Sequence, residues 1–276
     1  MTRFADLRAS RTAYEIQGSG SAILLVHGAE ANRESLSALS LALSSQTAVP
    51  LCVVSYDQRE CGDTESDGGP HGIPDLASDG VELMARLGFE RFAVMGTSLG
   101  GRIAQALAIA FPERVEALCL VNTWPLDRTL AQLNPAGVDR LRRLREGLPA
   151  TALELAAMFY TPAHAARHPA LARRFAQPKS GSRRGALALE VHALAPARIG
   201  APTLCIAGEE DQVVPIAVMR ALADRIEHAA FEAVPGVGHS MAVQAPDALA
   251  ALIAHFLSRQ HAGARPPDAT DSSRNS

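Results

Sequence analysis

Residues 96–100 read Gly-Thr-Ser-Leu-Gly, which places one serine between two glycines. A short apolar run precedes this motif, and an Ala-rich stretch of helical character follows it. Strand, tight turn and helix in this order are the context in which Gly-x-Ser-x-Gly presents a nucleophile. The sharp turn leaves no room for a Cβ at Gly96 or Gly100. The motif therefore predicts Ser98 as a nucleophile, and the alternative is a Gly-rich loop before an ordinary helix.

A serine hydroxyl is a poor nucleophile until a base takes its proton, and a carboxylate must hold that base in one tautomer. In chains with this turn, the acid and then the histidine follow the serine, each after a later strand. Asp211 comes shortly after the apolar run 203–208, and His239 comes after the last such run. We therefore predict Asp211 as the acid and His239 as the base, with Asp127 as the alternative acid.

Other carboxylates and other histidines are alternatives for the acid and for the base. Glu209 and Glu210 precede Asp211, but the side chain that reaches the base should come late in its loop. The chain has nine histidines, and a surface or core position explains most of them. His239 differs from the others because it follows Gly238 in a loop that is placed where the base is needed.

The elements that position these residues alternate along the chain. Five predominantly apolar runs predict buried strands of a mostly parallel sheet: 22–26, 51–57, 92–97, 115–121 and 203–208. Four stretches carry helical patterns: 33–45, 75–87, 216–228 and 246–258. Residues 3–17 predict antiparallel strands, and 231–234 predict a last strand. This order predicts an α/β fold with a mostly parallel central sheet flanked by helices.

The domain organisation follows from a change of composition. Residues 125–202 are Ala- and Arg-rich and helical in pattern, without a strand-like run. We expect them to form a helical lid, inserted between two core strands and lying over the carboxyl ends of the sheet. The core then comprises 1–124 and 203–258, and the polar residues 259–276 are expected to be a disordered tail.

Composition and short motifs limit the classes of partner and cofactor that we expect for this chain. A net charge of −3 gives no general attraction for nucleic acid, and the four cysteines show neither a disulfide nor a metal-ligand spacing. No phosphate-binding glycine loop is present, so we expect no metal and no organic cofactor. The N-terminus has charges where a signal peptide needs an apolar core, and no apolar run reaches the roughly 20 residues of a membrane span. We expect a cytoplasmic monomer or homodimer with a small-molecule substrate.

Five segments in this order resemble the α/β-hydrolase superfamily: His27-Gly28, Tyr56-Asp57-Gln58-Arg59, Gly96-Thr97-Ser98-Leu99-Gly100-Gly101, Gly208-Glu209-Glu210-Asp211 and Gly238-His239. Over about residues 10–258 the chain is most similar to the compact esterase and lactonase branch, near 3-oxoadipate enol-lactonases. The resemblance implies a serine hydrolase that cleaves a small carboxylic ester or lactone through an acyl-enzyme on Ser98. One alternative is hydrolysis of a carbon–carbon bond in a vinylogous diketone. Another is a non-catalytic receptor with a retained triad.

The resemblance also implies an oxyanion hole made by the backbone N–H groups of Ala29 and Leu99, with His27 in a structural role. Two glutamates depart from the family pattern. Glu60 stands where a glycine is usual. Glu30 lies next to the proposed donor, on the substrate side of the site. We predict that Glu30 faces solvent or pairs with a nearby arginine, either Arg33 or Arg59, because its charge would oppose an oxyanion.

Further residues are candidates for the substrate pocket. Trp124 follows a strand end and could contact a substrate acyl group or pack between lid and core. Met241 is predicted as a pocket wall. The lid also carries several arginines, which predict either a solvated helix face or a grip on a substrate carboxylate. The arginine clusters are 140–145, 173–174 and 183–184.

Overall fold

The structure is a computed structural model that describes residues 1–29, 31–45, 49–66, 68–176, 187 and 189–263. Within these residues one sheet of nine strands forms the centre of the molecule. The strands are β1 (Arg3–Leu7), β2 (Ser10–Gly18), β3 (Ser21–Val26), β4 (Leu51–Tyr56), β5 (Glu65–Ser66), β6 (Phe92–Thr97), β7 (Val115–Val121), β8 (Thr203–Gly208) and β9 (Ala230–Val234). Their order across the sheet is β1-β2-β4-β3-β6-β7-β8-β9, and β5 pairs with β2.

The sheet is parallel from β4 through β3, β6, β7 and β8 to β9. It is antiparallel only where β2 pairs with β1, β4 and β5. The carboxyl ends of the parallel strands therefore share one edge, which is where open α/β sheets carry their sites. The predicted fold class is confirmed.

The described helices connect the strands. They are α1 (Ser37–Ser45), α2 (Ile73–Arg86), α3 (Leu99–Ala110), α4 (Leu130–Leu133), α5 (Pro135–Glu146), α6 (Ala152–Phe159), α7 (Pro162–Arg167), α8 (Pro169–Phe175), α9 (Ile216–Ala223), α10 (Met241–Gln244) and α11 (Pro246–Gly263). None of them has the length and apolar character needed to cross a membrane.

Apolar side chains cover both faces of the sheet. Along β3, Leu24 and Val26 belong to a cluster with α2, α3 and α9, whereas Ile23 and Leu25 belong to a second cluster with α1 and α11. Successive side chains of a strand point to opposite faces, so a run that is apolar throughout fits a strand covered on both sides. The continuous apolar runs of the sequence are explained by these two layers of helices.

Helices α4 to α8 all lie between β7 and β8, and the described part of 125–202 contains no strand. We call this segment the insert. It is helical as predicted, and its role as a lid stays a prediction.

Two helices end at other residues than predicted. The helix predicted over 216–228 ends at Ala223, because Arg225 and Ile226 already make i→i+3 hydrogen bonds and His228 takes a positive φ of 58°. The last helix continues to Gly263, so the predicted tail is helical at its start, and 264–276 lie outside the described residues. The sequence did not indicate the short strand β5, which pairs with β2.

Candidate active site

Ser98 occupies the turn between β6 and α3 with φ 56° and ψ −123°, a backbone conformation that non-glycine residues rarely adopt. A Cβ at Gly96 would overlap the carbonyl oxygen of Gly100, and a Cβ at Gly100 would overlap that of Val26. Both neighbours are main chain and cannot move aside cheaply. The predicted need for the two glycines is confirmed.

Neighbouring main chain fixes the turn in place. The Ser98 N–H donates to the carbonyl oxygen of Val121 at 3.0 Å, and the Thr123 hydroxyl donates to the Ser98 carbonyl oxygen at 2.6 Å. Gly28 lies on the other side, where a Cβ would stand 3.3 Å from the Ser98 Cβ. Ser98 is therefore held at the carboxyl edge of the sheet, between the ends of β3 and β7.

Asp211 and His239 lie together. His239 Nδ1 is 2.8 Å from Asp211 Oδ2, and the other carboxylate oxygen accepts the N–H groups of Val213 and Val214, each at 2.8 Å. Both residues are buried. Hydrogen bonds from two backbone N–H groups fix the orientation of the carboxylate. The remaining partner of the carboxylate is the imidazole, so Nδ1 carries the proton and Nε2 is left to act as a base.

Ser98 and His239 approach the same point of the sheet. Val121 accepts the Ser98 N–H, and the next residue, Asn122, donates to the carbonyl oxygen of His239 at 2.9 Å. Within the described ranges the Ser98 hydroxyl makes no hydrogen bond. A contact between nucleophile and base is often long without substrate and tightens in the complex.

The insert contacts the loop that carries His239. The Phe159 ring stands edge-on to the imidazole with centroids 5.6 Å apart, and the Ser240 N–H donates to the Phe159 carbonyl oxygen at 2.7 Å. Phe175 extends this aromatic surface at 5.1 Å from Phe159. One wall beside the predicted base is therefore apolar and belongs to the insert.

His27 is buried and orients the loop that includes Ala29. The Gln58 N–H donates to His27 Nε2 at 3.2 Å, so the proton of a neutral ring lies on Nδ1, which is 2.8 Å from the Gly28 carbonyl oxygen. The Gln58 side chain also donates to the His27 carbonyl oxygen at 2.8 Å. These contacts fit the structural role expected for His27. Leu99 is the first residue of α3.

The structure locates the predicted pocket residues in the core. Trp124 is 2% exposed and packs in the cluster with α2 and α3, with its ring 5.4 Å from the Arg102 guanidinium. Met241 is fully buried in the second cluster. Met241 lies where α10 begins and packs on the α1 and α11 face, and its predicted place in a pocket wall stays a prediction.

The alternative acid is engaged elsewhere. Asp127 forms a bidentate ion pair with Arg225, which holds the pKa of the Asp127 carboxyl below its usual range. Asp211, not Asp127, is therefore the carboxylate beside His239.

Of the two glutamates that depart from the family pattern, Glu60 lies within the described residues. Glu30 lies outside the described residues, and its two suggested partners bind other carboxylates: Arg33 pairs with Asp57, and Arg59 pairs with Asp79 at 2.7 Å. Glu60 has a positive φ of 63°, which explains why a glycine suits this position in similar chains.

The described arginines of the insert face solvent. Arg142 pairs with Asp139 and Glu146, and Arg143 also pairs with Asp139, all on exposed surfaces of α5. Arg140 donates to the Gln212 side chain at 2.7 Å. The cluster 183–184 lies outside the described residues. For α5 the solvated helix face is the better interpretation.

Sequence reasoning missed Arg102, a fully buried residue of α3. Its guanidinium donates to the carbonyl oxygens of Leu126 at 2.9 Å, Leu187 at 3.0 Å and Glu190 at 2.6 Å. Burial lowers the pKa of Arg102 to about 10, which still leaves a cation at neutral pH. One side chain of α3 thus ties the start of the insert to residues late in it. An arginine after two glycines gave no signal of this role.

Comparisons with known proteins agree with this geometry. Residues 21–246 match the sequence profile of the family described as alpha/beta hydrolase fold. A Caulobacter protein (strain K31) named "Putative carbamate hydrolase RutD" is 32% identical over 76% of this chain and 82% of its own length. The 3-oxoadipate enol-lactonase 2 of Acinetobacter baylyi is 30% identical over 71% of this chain and 74% of its own. A thermophilic esterase from Thermogutta terrifontis shares the fold, with a TM-score of 0.75 at 24% identity over 95% of this chain and 99% of that one.

Proposed function

This chain belongs to the alpha/beta hydrolase family and is a hydrolase, and we propose that it cleaves a small carboxylic ester or lactone through an acyl-enzyme on Ser98. The observation that carries the proposal is the 2.8 Å hydrogen bond between Asp211 and His239 Nδ1, on loops that converge with the strained turn of Ser98. A buried carboxylate that orients an imidazole beside a serine is the arrangement that acyl transfer requires.

In the proposed mechanism, His239 Nε2 takes the proton of Ser98 while Oγ forms a bond to the acyl carbonyl carbon. The resulting oxyanion accepts hydrogen bonds from the N–H groups of Leu99 and Ala29, and losing one such donor typically lowers the rate about 10²–10³-fold. His239 then gives its proton to the leaving alkoxide as the ester bond breaks. A water molecule, activated by the same base, releases the acid from Ser98.

Two relatives and one surface support the substrate class. The enol-lactonase similarity favours a lactone, and the aromatic wall of Phe159 and Phe175 favours an apolar group beside the base. A carbamate is a second candidate, since the similarity to the Caulobacter protein is as strong and a carbamate offers the same carbonyl chemistry.

The test is hydrolysis of a short-chain chromogenic ester together with labelling by a fluorophosphonate and mass mapping of the label. Ser98→Ala should abolish both turnover and labelling. Ser45→Ala, at an exposed serine at the end of α1, should change neither. A panel of lactones, esters and carbamates then ranks the substrate classes. Labelling at another serine, or full activity in Ser98→Ala, would contradict the proposal.

A further inference from the structure

Asn122 joins the two loops that carry the predicted acid and base. Its Oδ1 accepts the Gly208 N–H at 2.8 Å, at the end of β8 and three residues before Asp211. Its Nδ2 donates to the carbonyl oxygens of Gly238 at 3.1 Å and His239 at 2.9 Å. One amide therefore links the main chain at the end of β8, three residues before Asp211, to the main chain of His239.

The backbone conformation and the hydrogen-bond partners at position 122 favour asparagine. Asn122 is fully buried and has a positive φ of 46°, a region that asparagine enters more easily than most residues. A donor N–H faces Oδ1 and two carbonyl oxygens face Nδ2, so the orientation of the amide is unambiguous. An aspartate would turn a carboxylate oxygen toward two carbonyl oxygens, and a smaller residue would leave buried groups without partners.

We propose that Asn122 is a positioning residue that keeps His239 in register with Asp211 and Ser98. This inference rests on the proposed function. Asn122 follows β7, the strand whose last carbonyl accepts the Ser98 N–H. The nucleophile is thus fixed to one residue and the base to the next. A shift of about 1 Å in such a constellation costs on the order of 10²-fold in rate.

Two substitutions distinguish the hydrogen bond to the Gly208 N–H from the hydrogen bonds to the His239 loop. Asn122→Gly suits the positive φ but removes all three hydrogen bonds. Asn122→Asp keeps the acceptor for the Gly208 N–H and removes the donors to the His239 loop. Thr12→Val is the matched control, because Thr12 is buried on β2, away from this edge, and shares one hydrogen bond with Ser10 at 2.8 Å.

The experiment measures kcat and KM for a chromogenic ester per labelled active site, so that loss of folded protein does not count. We expect Asn122→Gly to lower kcat about 10–100-fold with KM within about threefold, and Asn122→Asp to lower it at least as much. Thr12→Val should keep wild-type kcat despite lower stability. If kcat per site in both Asn122 variants stays within threefold of the control, the proposal is overturned.

A second readout does not depend on turnover. The His239 Nδ1 proton bonded to Asp211 should give a downfield NMR resonance, and its exchange with water should be faster in Asn122→Gly than in wild type or Thr12→Val. Unchanged exchange overturns the positioning role even if the ester is not a substrate. If wild type lacks both turnover and label but exchange still depends on Asn122, the proposed function fails and the positioning role stands.

Discussion

Replacing Asp211 by asparagine tests the assignment of the base most directly. Asp211 Oδ1 accepts two backbone N–H groups, from Val213 and Val214. In Asp211→Asn the amide oxygen must accept these two N–H groups. The flipped amide would lose two hydrogen bonds worth about 1 kcal/mol each and would direct its NH₂ group at the two backbone N–H groups. A preference of about 2 kcal/mol corresponds to roughly 30:1. The NH₂ group is therefore directed at His239.

An NH₂ group facing Nδ1 can only donate to it. The imidazole proton then moves to Nε2, where it blocks the removal of the Ser98 proton. The variant also lacks the negative charge that stabilises the imidazolium. A triad with this wrong tautomer loses about 10⁴-fold in kcat, equivalent to about 5.5 kcal/mol of transition-state stabilisation. Stability should change by less than about 1 kcal/mol, since the two backbone bonds persist.

The assay compares kcat for a chromogenic ester in wild type, Asp211→Asn and Asp127→Asn, with urea unfolding of each. Asp127 is the matched control, because it pairs with Arg225 at the surface and should keep activity within about twofold. Activity of Asp211→Asn within tenfold of wild type would refute the tautomer argument. Loss of activity in Asp127→Asn with retention in Asp211→Asn would reverse the choice of acid.

Three further predictions rest on close contacts and on burial in the core. Gly100→Ala places a methyl group into a main-chain oxygen and should lower the free energy of unfolding by more than about 3 kcal/mol; a loss below 1 kcal/mol in urea would contradict this. Arg102→Met removes three charged hydrogen bonds and should cost about 2–4 kcal/mol and speed proteolysis of the insert, whereas the exposed Arg142→Met should change stability by less than about 0.5 kcal/mol. Burial raises the pKa of the Cys205 thiol to about 12. At pH 8 a disulfide reagent should therefore label half-buried Cys61 first, and Cys205 only after unfolding. Labelling of Cys205 in the folded protein would contradict this prediction.

The sequence was informative wherever one residue type leaves little choice. Continuous apolar runs predicted the parallel strands, because a strand covered on both faces must be apolar throughout. The two glycines of the turn predicted the conformation of Ser98. The order of motifs along the chain selected Asp211 and His239, and the structure joins them by a hydrogen bond.

The sequence did not predict roles that depend on contacts between distant segments. Asn122 and Gly238 are 116 residues apart, and no local pattern marks an asparagine whose partners are main-chain atoms. The burial of Arg102 depends in the same way on carbonyl groups of the insert. The cluster that contains Met241 could not be inferred either, because closeness to His239 in sequence does not determine which face of the sheet a side chain takes.

The anchoring of the insert by Arg102 has a consequence for how such a chain diversifies. The carbonyl groups it holds belong to residues 126, 187 and 190, so Arg102 keeps the start of the insert close to residues late in it. The length of chain between two ends held together can change at small cost, since each doubling of a loop adds only about 0.6 kcal/mol of closure entropy. The insert can therefore be exchanged for a segment of different length at small cost in stability. We predict that grafting between these anchor points changes substrate preference while the sheet edge that carries Ser98 is left intact.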